Sequence, residues 1–236
     1  MFNRKSLREI EIDAYRNCQL KILSLLDPPE GEKNLKLLDI GCGDGSFSLE
    51  VAKKCNAKEI HGLEINKDVL EKAKKKGIKI HEGDANKKFP FKDNFFDVII
   101  ANQVVEHLLN PDNFFEEIHR ILKPNGYCII STPNLCSLHN RIFILLGWQI
   151  TNISPSTKVV FGNPNRGAQS NMWGPYRHLT IFSPPALKEM SEFYGLKVEK
   201  ITGSGFHPFK SPMSNFLSTI FPKLSVFLLV KARKLK

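Results

Sequence analysis

The sequence predicts an α/β protein built on a mostly parallel sheet of seven strands, with helices on both faces and an insertion after the fifth strand. Three observations carry that expectation. Short apolar runs alternate with amphipathic helical segments across residues 35–134. One run enters the glycine-rich turn Gly41-Cys42-Gly43-Asp44-Gly45. A stretch rich in Asn, Ser, Gly and Pro, far longer than the usual connection of about 2–6 residues, follows the fifth run.

Taken in order, residues 6–26 read as an amphipathic helix, with Ile12, Tyr15, Leu20, Ile22, Leu23 and Leu26 near helical spacing, ending before Pro28-Pro29. Residues 35–40 form the first strand, and a helix follows the glycine turn to about Lys54. Residues 59–65 form the second strand. Asn66 caps a helix that ends in Lys74, Lys75, Lys76 and Gly77; those lysines suit a helix C-terminus, and glycine suits the left-handed cap. Residues 78–81 make a third strand.

The fourth strand, residues 96–101, is continuously apolar, as a strand buried on both faces requires. Asn110-Pro111 opens the next helix, which runs to Leu122 before Pro124. The fifth strand covers 127–131. Residues 135–180 break the rhythm. Ser183-Pro184 restarts a helix to about Tyr194, strands follow at 196–201 and 224–232, and 206–222 reads as a second insertion.

Composition narrows the class. The chain has 236 residues, 42% hydrophobic and 25% charged, which suits one globular domain with a substantial core and excludes a disordered or collagen-like chain. Five cysteines without a CxxC pair are expected to be free thiols in a reducing cytosol, so neither a metal site nor a disulfide framework is expected. The charged N-terminal sequence lacks an apolar signal core, and a cytoplasmic location follows as the expectation.

The net charge of +10 is one-sided: residues 135–236 carry 13 basic and 3 acidic side chains. No carboxylate occurs between Glu117 and Glu189. Such a field attracts anions, although a merely solvated basic surface fits equally well.

The chemistry is concentrated at residues 37–45, LLDIGCGDG. Closely spaced glycines after a strand let backbone approach a ligand where a side chain would collide. Glu64, at the end of the next strand, is placed to accept from two ribose hydroxyls. The pattern departs from the dinucleotide fingerprint GxGxxG, because Ser46 stands where the third glycine belongs.

LLDIGCGDG resembles motif I of the class I S-adenosylmethionine-dependent methyltransferases, whose fold is Rossmann-like. Further segments resemble that family in its order: GLEIN (62–66), GDAN (83–86), FDVIIANQVVEHL (96–108), HRILKPNGYCIISTPN (119–134) and HLTIFSPPALKEMSEFYGLKV (178–198). The third is similar to the small-molecule branch, including the ubiquinone-biosynthesis O-methyltransferase and methyltransferase type 11 groups.

The resemblance implies S-adenosyl-L-methionine as cofactor and S-adenosyl-L-homocysteine as product. It implies that Gly41, Cys42 and Gly43 pack on the methionine part, with Asp39 ordering the loop. Glu64 would bind the ribose and Ile65 would pack on the adenine. Asp84 and Ala85 would meet the adenine edge, and Asn102 and Gln103 would stand near the sulfonium. The implied organisation is an N-terminal helical segment (1–34), a cofactor-binding core (35–134), a substrate-side insertion (135–180) and the C-terminal part of the sheet (181–236).

Methyl transfer from a sulfonium needs positioning and no metal; where the acceptor is a hydroxyl, a general base helps. His107 and His178 are the candidate bases, with His139 and Glu106 behind them; a structural role is the alternative for each. Trp148, Trp173 and Tyr176 are candidates for an acceptor wall, with Arg141, Arg166 and Arg177 above an anionic group. The expected partner is a small-molecule acceptor. An RNA acceptor, suggested by the basic C-terminal part, and a non-catalytic cofactor-binding protein stand as alternatives. Residues 216–230 and the tail Lys231, Arg233, Lys234 and Lys236 raise peripheral membrane contact, against the simpler reading of 224–230 as a buried last strand.

Overall fold

Every strand of the sheet can be traced to one of the apolar runs. The computed structural model describes residues 4–27, 34–150, 152–156, 161–163 and 178–235. In chain order the elements are α1 (Arg4–Leu25), β1 (Lys36–Ile40), α2 (Ser46–Cys55), β2 (Glu59–Glu64), α3 (Lys67–Lys75), β3 (Lys79–Glu82) and β4 (Phe96–Asn102). They continue as α4 (Pro111–Ile121), β5 (Leu122–Pro133), α5 (Leu138–Leu145), α6 (Pro184–Phe193), β6 (Leu196–Ser204), α7 (Met213–Ile220) and β7 (Phe227–Lys234).

The seven strands form one sheet in the order β3-β2-β1-β4-β5-β7-β6. The first five are parallel, and β7 runs antiparallel between β5 and β6. Period-two alternation sends side chains to two cores. Ile99, Cys128 and Ile130 join Phe114, Phe115 and Ile118 of α4 and Leu187 of α6 on one face. Val98, Ile100 and Ile129 join Ala14, Cys18 and Ile22 of α1 and Val51 of α2 on the other. Each such large side chain, fully withdrawn from water, contributes about 1.5–3 kcal/mol.

The expected start signals close their helices. Asn66 accepts from Asp68 N (3.0 Å), Asn110 from Asn113 N (3.2 Å) with Pro111 at the first helical position, and Ser183 from Ala186 N (3.3 Å). Gly77 takes φ +81 after the lysine-rich end of α3.

Three expectations need correction. The first insertion contains a helix, α5, and the second contains α7; neither is legible as an inward-facing apolar stripe. The last strand starts at Phe227 because residues 222–224 wind into a 3-10 turn. The basic tail is not a free cationic surface. Lys231 is buried and pairs with Asp27, Arg233 pairs with Glu199, and Lys234 donates to the Asn94 side chain and to the His119 and Leu122 carbonyls. The buried-strand reading of this segment therefore holds; Lys236 lies outside the described residues.

Candidate active site

The parallel strands end in register along one edge. Ile40 of β1 pairs with Leu63 of β2 and Ala101 of β4, and Glu64 pairs with Glu82 of β3. Beyond this edge lies a cavity of about 570 Å³, a size suited to a small ligand.

Its floor is the glycine turn. Gly41 has φ +72, and a Cβ there would fall 2.6 Å from Val104 Cγ2. Gly43 has φ +55, and a Cβ there would meet no protein atom within 4 Å. The first glycine is needed for packing; the second leaves bare backbone facing open space. Glu64 fastens the turn: its Oε2 accepts from Gly43 N (2.9 Å), while Oε1 accepts from Ile65 N (2.9 Å) and Asn66 N (2.8 Å). Lys76 straps the same turn from α3, donating to the Asp44 carbonyl (2.9 Å), the Asp44 carboxylate (2.8 Å) and Ser46 Oγ (2.6 Å). The Lys76 ammonium, with the Ser46 amide and hydroxyl, holds the Asp44 carboxyl down at about 2.

Of the residues singled out for the cofactor, Gly41, Gly43, Glu64, Ile65, Asp84, Ala85, Asn102 and Gln103 line this one cavity. Asp84 Oδ1 accepts from both the backbone and side-chain nitrogens of Asn86 (2.9 Å each), which sets the loop after β3. Asn102 Oδ1 accepts from Ser131 Oγ (2.6 Å), and its Nδ2 donates to Tyr15 Oη (3.1 Å). Gln103 has φ +60, an uncommon backbone state outside glycine. In the amide orientation that satisfies its neighbours, it donates to Glu106 Oε1 (3.3 Å) and accepts from Thr132 N (3.3 Å).

Two of the ten stand back from the cavity. Asp39 is buried behind the turn, and Ser48 Oγ donates to it at 2.5 Å; burial pushes its carboxyl up to about 7. Cys42 points at β2, where a Cβ on Gly62 would fall 2.5 Å from its sulfur. Neither side chain lines the cavity, so what these residues offer it is backbone and loop order.

Sequence reasoning missed Tyr15, Asn66, Val69, Asn86 and Leu108, which also line the cavity, and the Lys76 strap. Tyr15 comes from α1, remote in sequence, with no local motif to announce it. Lys76 was legible only as a dipole-compensating helix end.

The candidate bases do meet. Residues 105–107 form a 3-10 turn, and the Glu106 carbonyl accepts from Leu179 N (2.7 Å) and Thr180 N (3.1 Å). That docking brings His178 against His107, ring centroids 4.8 Å apart. His107 lines the cavity. His178 is buried, with Nδ1 bonded to the Asn152 carbonyl (2.8 Å); burial and the neighbouring His107 pull its imidazole down to about 4. Glu106 is fully buried, which pushes its carboxyl up to about 8. Ligand-type atoms of Glu106, His107 and His178 lie within 4.8 Å of one another, a grouping of donor types that could hold a cation.

The acceptor wall is a different matter. Trp148 is 41% exposed, packs on Phe143 (5.6 Å) and is not among the residues that line the cavity. Arg141 donates to the Cys136 carbonyl (2.8 Å). His139 packs on His207 (4.9 Å). Arg166, Trp173, Tyr176 and Arg177 lie outside the described residues.

The family model for a methyltransferase domain matches residues 31–172, more than half of the chain. The chain belongs to that family. Its match contains the strands β1 to β5 and the glycine turn. The chain spans about half the length of the curated relatives it matches. It is 25% identical to the rat mitochondrial ubiquinone biosynthesis O-methyltransferase over 86% of this chain and 56% of that protein. It is 37% identical to the demethylmenaquinone methyltransferase of Chlorobaculum parvum over 44% of this chain and 43% of that protein. Among solved structures, an S-adenosylmethionine-dependent methyltransferase from Thermotoga maritima, described as a possible histamine N-methyltransferase, superposes with a TM-score of 0.63. It is 20% identical and covers 95% of this methyltransferase-domain chain and 91% of its own, a likeness of fold.

Proposed function

We propose that this protein transfers a methyl group from S-adenosyl-L-methionine to a small-molecule acceptor. The observation that carries the reading is the joint placement of Glu64, Asp84 and the bare Gly43 backbone around one cavity at the carboxyl edge of the strands. A carboxylate offers about four acceptor sites, and Glu64 spends three on backbone N–H groups while still lining the cavity. One acceptor site remains, enough for a single ribose hydroxyl. Asp84 serves the adenine amine, and Ile65, Val69 and Leu108 supply apolar surface for the ring. The donor set fits the cofactor, which when bound would supply a methyl already activated on a sulfonium.

The chain's own part is to bind, orient and move a proton. In this reading His107, at the cavity wall, accepts the proton of an acceptor hydroxyl. His178, held neutral by burial, positions His107, since a base near 4 is a poor proton acceptor at neutral pH. The names of the relatives, which describe quinone-pathway methylation, support a small-molecule acceptor. A cytoplasmic location is part of the reading, supported by five free cysteines; among the described residues no helix is long and apolar enough to cross a membrane.

The test is calorimetric titration with S-adenosyl-L-homocysteine, NADH as control, followed by methyl-release assays on phenolic acceptors. Micromolar binding of S-adenosyl-L-homocysteine alone supports the reading. A folded protein that binds neither, or binds only NADH, refutes it.

A further inference from the structure

Among the described residues that line the cavity, Tyr15 alone comes from α1. The others belong to the carboxyl ends of β1, β2, β3 and β4 or to the segments that follow them. Two contacts on either side of the next turn seat α1 at this place. Arg16 pairs with Glu50 of α2 (3.0 Å), and Asn17 donates to Ser211 Oγ (2.8 Å) in the loop ahead of α7. Tyr15 is thereby held over the edge of the sheet by neighbours that do not themselves touch the cavity.

The direction of its hydroxyl follows from the bonds around Asn102. Gln103 N donates to Ser131 Oγ (3.2 Å), so Ser131 places its own proton on Asn102 Oδ1 (2.6 Å). The Cys18 thiol reaches the same oxygen (3.7 Å). With its oxygen committed to these two donors, Asn102 turns Nδ2 to Tyr15 and donates to Oη (3.1 Å). Tyr15 is the acceptor in that bond and still has a proton to place. Among the described residues no group accepts it, and the cavity is the space that the residue lines. Burial, followed by the nearby Cys18, Asp39 and Glu106, pushes the phenol up to about 12, so the proton stays on the oxygen at neutral pH. Tyr15 offers the cavity a donor and not a base.

The layout of the cavity says which part of a ligand meets that donor. β3, β2, β1 and β4 lie side by side, so the wall from Asp84 past Glu64 and Gly43 to Asn102 covers three strand spacings, about 14 Å. A nucleoside held at its base by Asp84 and at its ribose by Glu64 runs out along this edge. Whatever extends from the ribose arrives at β1 and β4, the end where Tyr15 meets Asn102. In S-adenosyl-L-methionine that extension ends in an α-amino acid, whose carboxylate requires donors. Among the described lining residues there is no lysine or arginine, and Glu64 and Asp84 bring negative charge. A neutral hydroxyl then matters more, because a hydrogen bond to an ion is about twice as strong as one between neutral groups.

We infer that Tyr15 is a specificity residue for the methyl donor: its hydroxyl donates to the carboxylate of the cofactor's amino-acid part, and the protein thereby selects the complete cofactor over truncated nucleosides. The inference rests on the S-adenosyl-L-methionine reading given above. Cofactor and product carry the same carboxylate, so this bond holds both alike and belongs to binding, not to the chemical step.

The test titrates three ligands calorimetrically into the full chain, as wild type and as Tyr15→Phe, with circular dichroism to show that both are folded. The ligands are S-adenosyl-L-homocysteine, its decarboxylated analogue, which keeps the amine, and methylthioadenosine, which lacks the amino-acid part. The substitution should weaken S-adenosyl-L-homocysteine about tenfold, as loss of one hydrogen bond to a charged group implies. The other two should stay within about twofold of wild type. Equal loss for all three overturns the inference, since Tyr15→Phe would then be acting through a disturbed Asn102. No loss for any of them overturns it as well. Failure of the methyltransferase reading has a different signature: folded wild type binds none of the three, and the inference falls with it.

Discussion

Replacing Glu64 by alanine removes the group that both shapes the glycine turn and faces the cavity. Three backbone N–H groups, of Gly43, Ile65 and Asn66, lose a charged acceptor at 2.8–2.9 Å. Hydrogen bonds to a charged group contribute about 1.5–3 kcal/mol each. Water can reach Ile65 and Asn66 at this half-open edge, so most of their loss is made up. The cost to binding then falls on the one ribose hydroxyl bond that Glu64 has room for and on a looser Gly43, together about 3 kcal/mol, or roughly 100-fold in dissociation constant. Glu64→Gln keeps an acceptor for Ile65 and Asn66 but turns an NH2 group towards Gly43 N, so about tenfold is expected. Titration calorimetry with S-adenosyl-L-homocysteine, on variants shown to be folded, reads both values. An alanine variant that binds as tightly as wild type would falsify the ribose assignment.

Other outcomes follow from the same geometry. Gly41→Ala should destabilise the fold by about 2 kcal/mol or more in urea unfolding, since it adds a left-handed alanine and a clash with Val104, whereas Gly43→Ala should cost only about 1 kcal/mol. Lys76→Met should weaken S-adenosyl-L-homocysteine binding a few-fold by releasing the turn, measured by the same calorimetry. The stability of wild type relative to His178→Gln should depend on pH. The folded imidazole titrates near 4 and the unfolded one near 6.5, so the unfolded chain takes up the proton first as pH falls. The advantage is therefore full above pH 6.5 and shrinks by up to about 3 kcal/mol towards pH 4, read from urea unfolding at several pH values. A methyl-transfer rate unchanged by a chelator fits proton transfer at His107; loss restored by a divalent cation would assign the Glu106, His107 and His178 cluster to a metal instead.

What could be read from the sequence was whatever depends on local rules. Continuous apolar runs such as 96–101 announce strands buried on both faces, and Asn66, Asn110 and Ser183 announce helix starts, because capping is settled within a few residues. Glu64 and Gly43 were legible because strand ends in a parallel sheet share one edge, and Asp84 through the resemblance of GDAN to the family's adenine loop. Tyr15 was not, since α1 reaches Asn102 only through tertiary packing. Helices α5 and α7 escaped for a physical reason: periodicity analysis looks for apolar residues facing inward, and theirs face out. Charge counts alone left the basic tail open, because they cannot reveal that Lys231 is buried and paired with Asp27.

The position of β7 has a consequence for the order of assembly. β5 lies between a neighbour that precedes it, β4, and one that arrives only after α5, α6, β6 and α7. On a ribosome, β1 to β5 can pair as they emerge, but the outer rim of β5 waits with Cys128, Ile129 and Ile130 beside unpaired backbone groups. Such an open, apolar rim is where a nascent chain adheres to other chains. The vulnerable interval in the life of this protein is therefore the time needed to synthesise the segment between Pro133 and Phe227, and a slower ribosome or a missing chaperone would act there.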